Sequence, residues 1–220
     1  MKTILFDFDY TLADSSKGAF ECINYALSGM GESKRNWKEC CDTIGLSLKQ
    51  TYNKLTGTID KEREAEFYRL FVERADQIMS ENTELYEGVP EMVEELRERE
   101  YTLAILSTKF RYRIYQILTR YNLSGAFSAV VGGEDVERHK PHPEGLDLLL
   151  SRIGSTPREA ILVGDSLTDA ETASRGGLPF IAVLTGQTDY SEFGTFNPLA
   201  VLRSVIELPD ALKISAEPFI

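Results

Sequence analysis

The feature that most constrains the fold of this chain is an alternation of short apolar runs with amphipathic helical patterns. The runs are rich in strand-forming residues, which is typical of strands buried on both faces of a parallel sheet. They occupy residues 3–8, 102–106, 129–131, 160–163 and 180–184. Because helical patterns separate these runs, we predict β-α units that build a doubly wound, Rossmann-like α/β core with a parallel sheet.

The segment between about residues 14 and 85 departs from this alternation. It has no convincing strand run and shows helical periodicity instead, as at Phe67 and Phe71. A segment of this length is too long for a loop, so we predict an inserted α-helical cap domain over 14–85 and a core of 1–13 and 86–220. Ligands of open α/β sheets bind outside the carboxyl ends of the strands, so the insertion should cover the site as a lid.

Charge and cysteine content exclude several function classes. The net charge of −11 repels phosphate backbones, so we expect no nucleic-acid partner. No apolar run approaches the roughly 18 residues of a membrane span, so we expect no membrane partner and a cytoplasmic location. Cys22, Cys40 and Cys41 form no C-x-x-C pair, which disfavours a structural zinc site and a disulfide framework.

Two carboxylates, Asp7 and Asp9, stand at the end of the first apolar run. Strand side chains alternate with a period of two, so both carboxylates are expected to project to the same side. Two buried carboxylates repel each other unless a cation or a reacting group compensates for them. The alternative is that both simply end the strand as turn residues, but a pair after so apolar a run favours function.

The 160–163 run also ends in acids, Asp165 and Asp169. Neighbouring strand ends of a parallel sheet can bring Asp7, Asp9 and Asp165 together, while Asp169 has an alternative role as a first-turn carboxylate facing a helix dipole. Carboxylate oxygens suit Mg²⁺. Zinc is disfavoured because the chain lacks sulfur or paired histidine ligands.

Hydroxyl groups and one lysine supply candidate phosphate contacts. Ser107 and Thr108 end the 102–106 run, where hydroxyl and backbone N–H groups can hold a phosphoryl oxygen, although such residues also cap helices. Lys140 precedes Pro141 and Pro143, which stiffen its backbone. By itself Lys140 could equally be a solvated surface lysine, but this is where an acidic protein could supply the local cation for an anionic substrate.

These four elements, in this order, resemble the haloacid dehalogenase superfamily, in its phosphatase branch related to phosphoglycolate phosphatases. The run D-F-D-Y-T is similar to the first family motif, Ser107 to the second, Lys140 in H-K-P-H-P to the third, and G-D-S-L-T-D to the fourth. The insertion resembles the α-helical cap of that family. The resemblance implies a Mg²⁺-dependent phosphatase that hydrolyses a small phosphate monoester through an aspartyl-phosphate.

The resemblance also implies a role for each site residue. Asp7 would attack phosphorus, and Asp9 would protonate the leaving oxygen and then activate the hydrolytic water. The expected magnesium ligands are Asp7, the main-chain oxygen of Asp9, Asp165 and Asp169, and the expected phosphate contacts are Ser107, Thr108 and Lys140.

Four further residues carry expectations. Thr11 is expected to orient Asp9 or its loop. Gly45 and Leu46 of the insertion are expected to face the substrate, with a helix end and cap packing as the alternative readings. Tyr10 stands where the family often has glycine, and a bulky residue is tolerable there if its backbone needs no positive φ.

Three alternatives stay open at this point. A phosphosugar mutase and a pyrophosphatase of the same branch would use the same core residues. From a different class, the chain could be a catalytically silent ligand-binding module on this fold. A metal-independent dehalogenase is disfavoured by Asp9 and Asp165, and the sequence does not indicate the oligomeric state.

Overall fold

The computed structural model describes residues 2–214. The strands are β1 (Thr3–Phe6), β2 (Ala13–Asp14), β3 (Glu84–Leu85), β4 (Thr102–Leu106), β5 (Ala129–Val131), β6 (Ala160–Gly164), β7 (Phe180–Val183) and β8 (Ala200–Leu202). Six of them form a parallel sheet in the order β5-β4-β1-β6-β7-β8. The predicted parallel sheet is confirmed.

The described residues form helices on both faces of this sheet and in the insertion. They are α1 (Ser16–Gly29), α2 (Trp37–Cys41), α3 (Leu48–Thr56), α4 (Lys61–Ile78), α5 (Val89–Glu98), α6 (Arg111–Arg120), α7 (Glu144–Ile153), α8 (Leu167–Gly176) and α9 (Leu208–Ile214). Side chains of β1 alternate between the faces. Ile4 and Phe6 pack with α5, α6 and α9, whereas Leu5 packs with α7 and α8. The sheet is therefore doubly wound, as predicted.

Several strand bounds differ from the sequence prediction, and the short strands β2 and β3 were not predicted. Strand β1 ends at Phe6 rather than Phe8, because the carbonyl of Phe8 already accepts the N–H groups of Thr11, Leu12 and Ala13 in a tight turn. Strand β7 ends at Val183. Strand β8 was not predicted.

The segment between β2 and β3 contains α1 to α4. These helices pack around a cluster of their own that includes Cys22, Leu27, Tyr52 and Phe67. Strands β2 and β3 pair antiparallel and join this segment to the sheet domain. Such packing supports the proposed helical cap over 14–85, whose boundaries stay a prediction. Among the described residues, no helix is long and apolar enough to cross a membrane.

Helix α4 of the insertion also contacts helix α6 of the sheet domain. The buried Arg113 guanidinium donates to Asp76 Oδ1 at 2.6 Å and packs over the ring of Phe110. Tyr112 donates to the same carboxylate, and Tyr68 contacts the ring of Phe110. The insertion is therefore held to the sheet domain both at its strand pair and along α6.

Candidate active site

The candidate site lies where the strand order of the sheet reverses. From β1 the sheet extends to β4 on one side and to β6 on the other. Asp7 follows β1, Ser107 follows β4 and Asp165 follows β6. Ligands of open parallel sheets bind at such a switch point, outside the carboxyl ends of the strands. The motifs of the sequence therefore meet where the topology favours binding.

Three carboxylates form a buried cluster at this edge. Asp7, Asp165 and Asp169 each offer an oxygen, and these oxygens lie within 4.8 Å of one another. Lys140 Nζ donates to Asp7 Oδ1 at 2.7 Å and to Asp169 Oδ1 at 2.6 Å. Three carboxylates against one ammonium leave two negative charges uncompensated when all are ionised.

The pKa shifts of these residues reflect the same excess of negative charge. Burial raises the pKa of Asp7 to about 7, although the Lys140 ammonium opposes the shift. Burial, followed by the charges of Asp169 and Asp7, raises the pKa of Asp165 well above its ordinary value. Burial alone would lower the pKa of Lys140, but Asp169 and Asp7 outweigh it and raise that pKa. The donor set and the missing charge of two fit a divalent cation such as Mg²⁺.

Asp169 combines the two roles considered for it, as a site carboxylate and as a carboxylate in the first turn of a helix. It lies in the first turn of α8, where its Oδ2 accepts from the N–H of Ser166 at 3.2 Å and from the Ser166 hydroxyl at 2.5 Å. Its Oδ1 accepts from Lys140. Asp169 therefore caps the helix and holds the lysine at once, so both of its oxygens are already engaged.

Asp165 is confined by its neighbours. Thr11 Oγ1 donates to Asp165 Oδ1 at 3.3 Å, so the hydroxyl expected near Asp9 contacts this carboxylate instead. Gly186, which follows β7, passes so close that an added Cβ would lie 2.7 Å from Asp165 Cγ. Only glycine lets the backbone approach this carboxylate without displacing it.

Tyr10 adopts the left-handed backbone conformation, with φ of 62°. The sequence analysis expected a bulky residue to be tolerable here only if its backbone needs no positive φ. The observed φ is positive, so that condition is not met. Its N–H donates to Ala13 O at 2.7 Å, its carbonyl accepts from Thr185, and its side chain is buried. Burial and a hydrogen bond to Cys41 of the insertion raise the pKa of the Tyr10 phenol. Packing and hydrogen bonds therefore hold the strained conformation.

Asp9 lies apart from the acidic cluster and pairs with a second lysine. Lys109 Nζ donates to Asp9 Oδ1 at 2.7 Å, and both side chains are less than 10% exposed. The N–H of Lys109 donates to Ser107 Oγ at 3.2 Å. The sequence analysis gave Lys109 no role, although its position directly after Ser107 and Thr108 was a signal that it belongs to the site.

A cavity of about 300 Å³ opens between the sheet domain and the insertion. Asp9, Thr108 and Lys109 line it from the sheet domain, and Gly45 and Leu46 line it from the insertion. Thr108 Oγ1 donates to Gly45 O at 3.2 Å, which links the two sides. The apolar part of the lining comes from Ile23, Phe71, Met79 and Phe110, among others.

Comparison with known proteins identifies the family. A family model described as haloacid dehalogenase-like hydrolase matches residues 4–183. The chain belongs to the haloacid dehalogenase-like hydrolase family. The resemblance seen in its four motifs is thereby confirmed.

Solved and curated members of this family resemble the chain over nearly its whole length. A haloacid dehalogenase-like hydrolase from Bacteroides fragilis has a TM-score of 0.91 and 35% identity over 94% of this chain and 99% of its own. The pyrophosphatase PpaX of Bacillus mycoides is 30% identical over 94% of this chain and 95% of its own. The phosphoglycolate phosphatase of Salmonella typhi is 28% identical over 97% of this chain and 93% of its own. The chain is therefore a hydrolase whose relatives include phosphatases.

Proposed function

We propose that this hydrolase is a Mg²⁺-dependent phosphatase that cleaves a small phosphate monoester through a phosphoryl group carried on Asp7. The observation that carries the proposal is the buried cluster of Asp7, Asp165, Asp169 and Lys140, whose charge deficit of two matches one divalent cation. Relatives named phosphoglycolate phosphatase and pyrophosphatase support the same reaction class.

In this proposal Asp7, Asp165 and the main-chain oxygen of Asp9 would hold Mg²⁺. Asp169 would act mainly through Lys140, because hydrogen bonds already engage both of its oxygens. When bound, the cation would neutralise the charge that otherwise makes the anionic nucleophile and the anionic substrate repel each other.

The remaining steps belong to side chains of the chain itself. The Asp7 oxygen that Lys140 leaves unengaged would attack phosphorus, and the P–O bond to the leaving alcohol would break. Asp9 Oδ1 is engaged by Lys109, so Oδ2 would give a proton to the leaving oxygen and later take one from the water that hydrolyses the aspartyl-phosphate. Ser107, Thr108 and Lys140 would hold the non-bridging oxygens of the phosphoryl group.

The first experiment is a phosphate-release screen over a panel of phosphorylated metabolites, in Mg²⁺ and in chelator. We expect release in Mg²⁺, loss in chelator and loss in Asp7→Asn. Full turnover by Asp7→Asn would refute the assignment of Asp7 as nucleophile. Equal rates in Mg²⁺ and in chelator would refute the dependence on a metal ion. Inorganic pyrophosphate belongs in the panel because relatives carry that activity in their name.

Two of the alternatives have their own readouts. Isomerisation of glucose 1-phosphate without net phosphate release would indicate a phosphosugar mutase. Binding of phosphate compounds without any turnover would indicate a silent binding module. We propose that the substrate is a small phosphorylated metabolite and that the protein acts in the cytoplasm.

A further inference from the structure

Three cationic side chains line the cavity, and the contacts of two of them are directed elsewhere. The Arg113 guanidinium is bonded to Asp76 and packs over the ring of Phe110. The Lys49 side chain is 61% exposed and pairs with Glu64 at 3.3 Å. Arg113 and Lys49 therefore do not offer a buried, uncommitted cation to a ligand. The third cationic side chain differs in this respect.

Lys109 is that third cation, and its ammonium group is only partly satisfied. The group carries three N–H donors, and a buried donor without an acceptor is costly. Within residues 2–214, the one hydrogen bond recorded for Nζ goes to Asp9, whereas Lys140 Nζ contacts two carboxylates. The Lys109 side chain is only 7% exposed and lines the cavity. Its further donors are therefore available to a ligand rather than to bulk water.

The position of Lys109 relates it to one particular part of a substrate. In the proposed reaction Asp9 contacts the leaving oxygen, so a single carboxylate separates that oxygen from Lys109 Nζ. The backbone of Lys109 is fixed on both sides, since its N–H donates to Ser107 Oγ at 3.2 Å and its carbonyl accepts from Gly133 at 3.1 Å. The rest of the cavity lining combines apolar side chains such as Phe71 with charged ones such as Glu137.

We propose that Lys109 is a specificity-determining residue that binds a negative group on the leaving portion of the substrate, next to the ester oxygen. This inference rests on the proposed phosphatase function. A carboxylate or a phosphate in that position would accept the unused donors of Lys109 while the pair with Asp9 persists.

The test measures binding as well as turnover. Calorimetry in Mg²⁺ compares 3-phosphonopropionate with its neutral amide, 3-phosphonopropionamide, neither of which can be hydrolysed. Loss of a charge-assisted hydrogen bond corresponds to about a ten- to hundredfold change in affinity. We expect the wild type to prefer the carboxylate by at least that lower factor, Lys109→Met to lose the preference, and Lys109→Arg to retain part of it.

Matched variants separate this role from a structural one. Lys49→Met removes the other cavity lysine and should keep the wild-type preference. Because Lys109→Met leaves Asp9 buried without its partner, the double variant Lys109→Met/Asp9→Asn restores neutrality, and it should lose the preference as well. Equal binding of the two probes by the wild type, or a preserved preference in the folded double variant, would overturn the inference.

A comparison of turnover rates identifies which negative group on the leaving portion Lys109 binds, a carboxylate or a phosphate. Rates of phosphate release from 2-phosphoglycolate and from pyrophosphate are compared with the rate from 2-hydroxyethyl phosphate, whose leaving group is uncharged. Lys109→Met should lower kcat/KM for the preferred substrate with a charged leaving group. The decrease should be about tenfold or more larger than the decrease for 2-hydroxyethyl phosphate. If no substrate releases phosphate, the proposed function fails, whereas the binding arm still decides the role of Lys109.

Discussion

Replacement of Gly186 by alanine tests whether Asp165 is held in place for a metal ion. The added Cβ would lie 2.7 Å from Asp165 Cγ and 2.9 Å from its Cβ. Asp165 Oδ2 lies closer still, and an ordinary carbon–carbon contact is about 3.5 Å or more, so the carboxyl group must move by at least about 0.8 Å. Thr11 and the surrounding core leave it little freedom to do so. Displacements of about 1 Å in a functional site can cost about a hundredfold in rate.

The expected result is a loss of Mg²⁺ affinity with retention of the fold. At a Mg²⁺ concentration of about 100 times the wild-type Kd, ligand linkage stabilises the wild type by about 2.7 kcal/mol. If Gly186→Ala weakens binding about a hundredfold, the same concentration contributes only about 0.4 kcal/mol. The assays are urea unfolding with and without Mg²⁺ and the Mg²⁺ dependence of phosphate release.

The control is a second glycine-to-alanine change in the same part of the chain. Gly194 lies in the 3₁₀ segment after β7, and an added Cβ there would meet nothing within 4 Å. Gly194→Ala should keep the Mg²⁺ response of the wild type. A folded Gly186→Ala protein with the same Mg²⁺ dependence as the wild type would refute the idea that Asp165 is a confined ligand.

Three further predictions concern stability. Because burial raises the pKa of Asp7 from 3.8 to about 7, folding disfavours its ionised form, so stability in chelator should fall as the pH rises through that interval. Urea unfolding of Asp7→Asn should show a smaller decline, since only Asp165 of the two carboxyls with a raised pKa remains, and an unchanged slope would contradict the assignment. Although partial burial opposes the shift, hydrogen bonds from Tyr112 and Arg113 lower the pKa of Asp76 below 3.8, so its contribution is present above that pH and lost below it. Asp76→Asn should cost about 1 kcal/mol at pH 7 and much less near pH 3, and a constant difference would refute the assignment. Tyr10→Gly relieves a positive φ but removes a buried ring, so chemical denaturation should show a net loss of about 2 kcal/mol, and a gain would show that strain dominates.

The sequence allowed the sheet and the motif positions to be predicted because both depend on local patterns. Continuous apolar runs identified β4 and β5 with their observed bounds. Polar residues directly after such runs were then expected at one edge of the sheet, and three of the predicted acids do form a cluster there. The period-two argument for Asp9 was unsound, since β1 ends at Phe6 and Asp9 lies in the turn beyond it.

The contacts that refine the site depend on tertiary structure. Lys109 pairs with Asp9 across 100 residues, and no local pattern marks that pair. The close approach of Gly186 to Asp165 follows from the packing of the loop after β7. The hydroxyl of Thr11 lies on Asp165 because the turn after β1 points it towards the end of β6. Each contact depends on how loops from different strand ends meet.

In the proposed function, the two lysines with buried side chains would let a chain with a net charge of −11 bind an anion. Lys140 shares its donors between Asp7 and Asp169 and is therefore largely committed to holding the acidic cluster. Lys109 has a single carboxylate partner and faces the cavity. Because the two cations follow different strand ends, binding of the phosphoryl group and recognition of the leaving group can vary independently. The core motifs would then set the chemistry, while Lys109 and the insertion would set the choice of substrate.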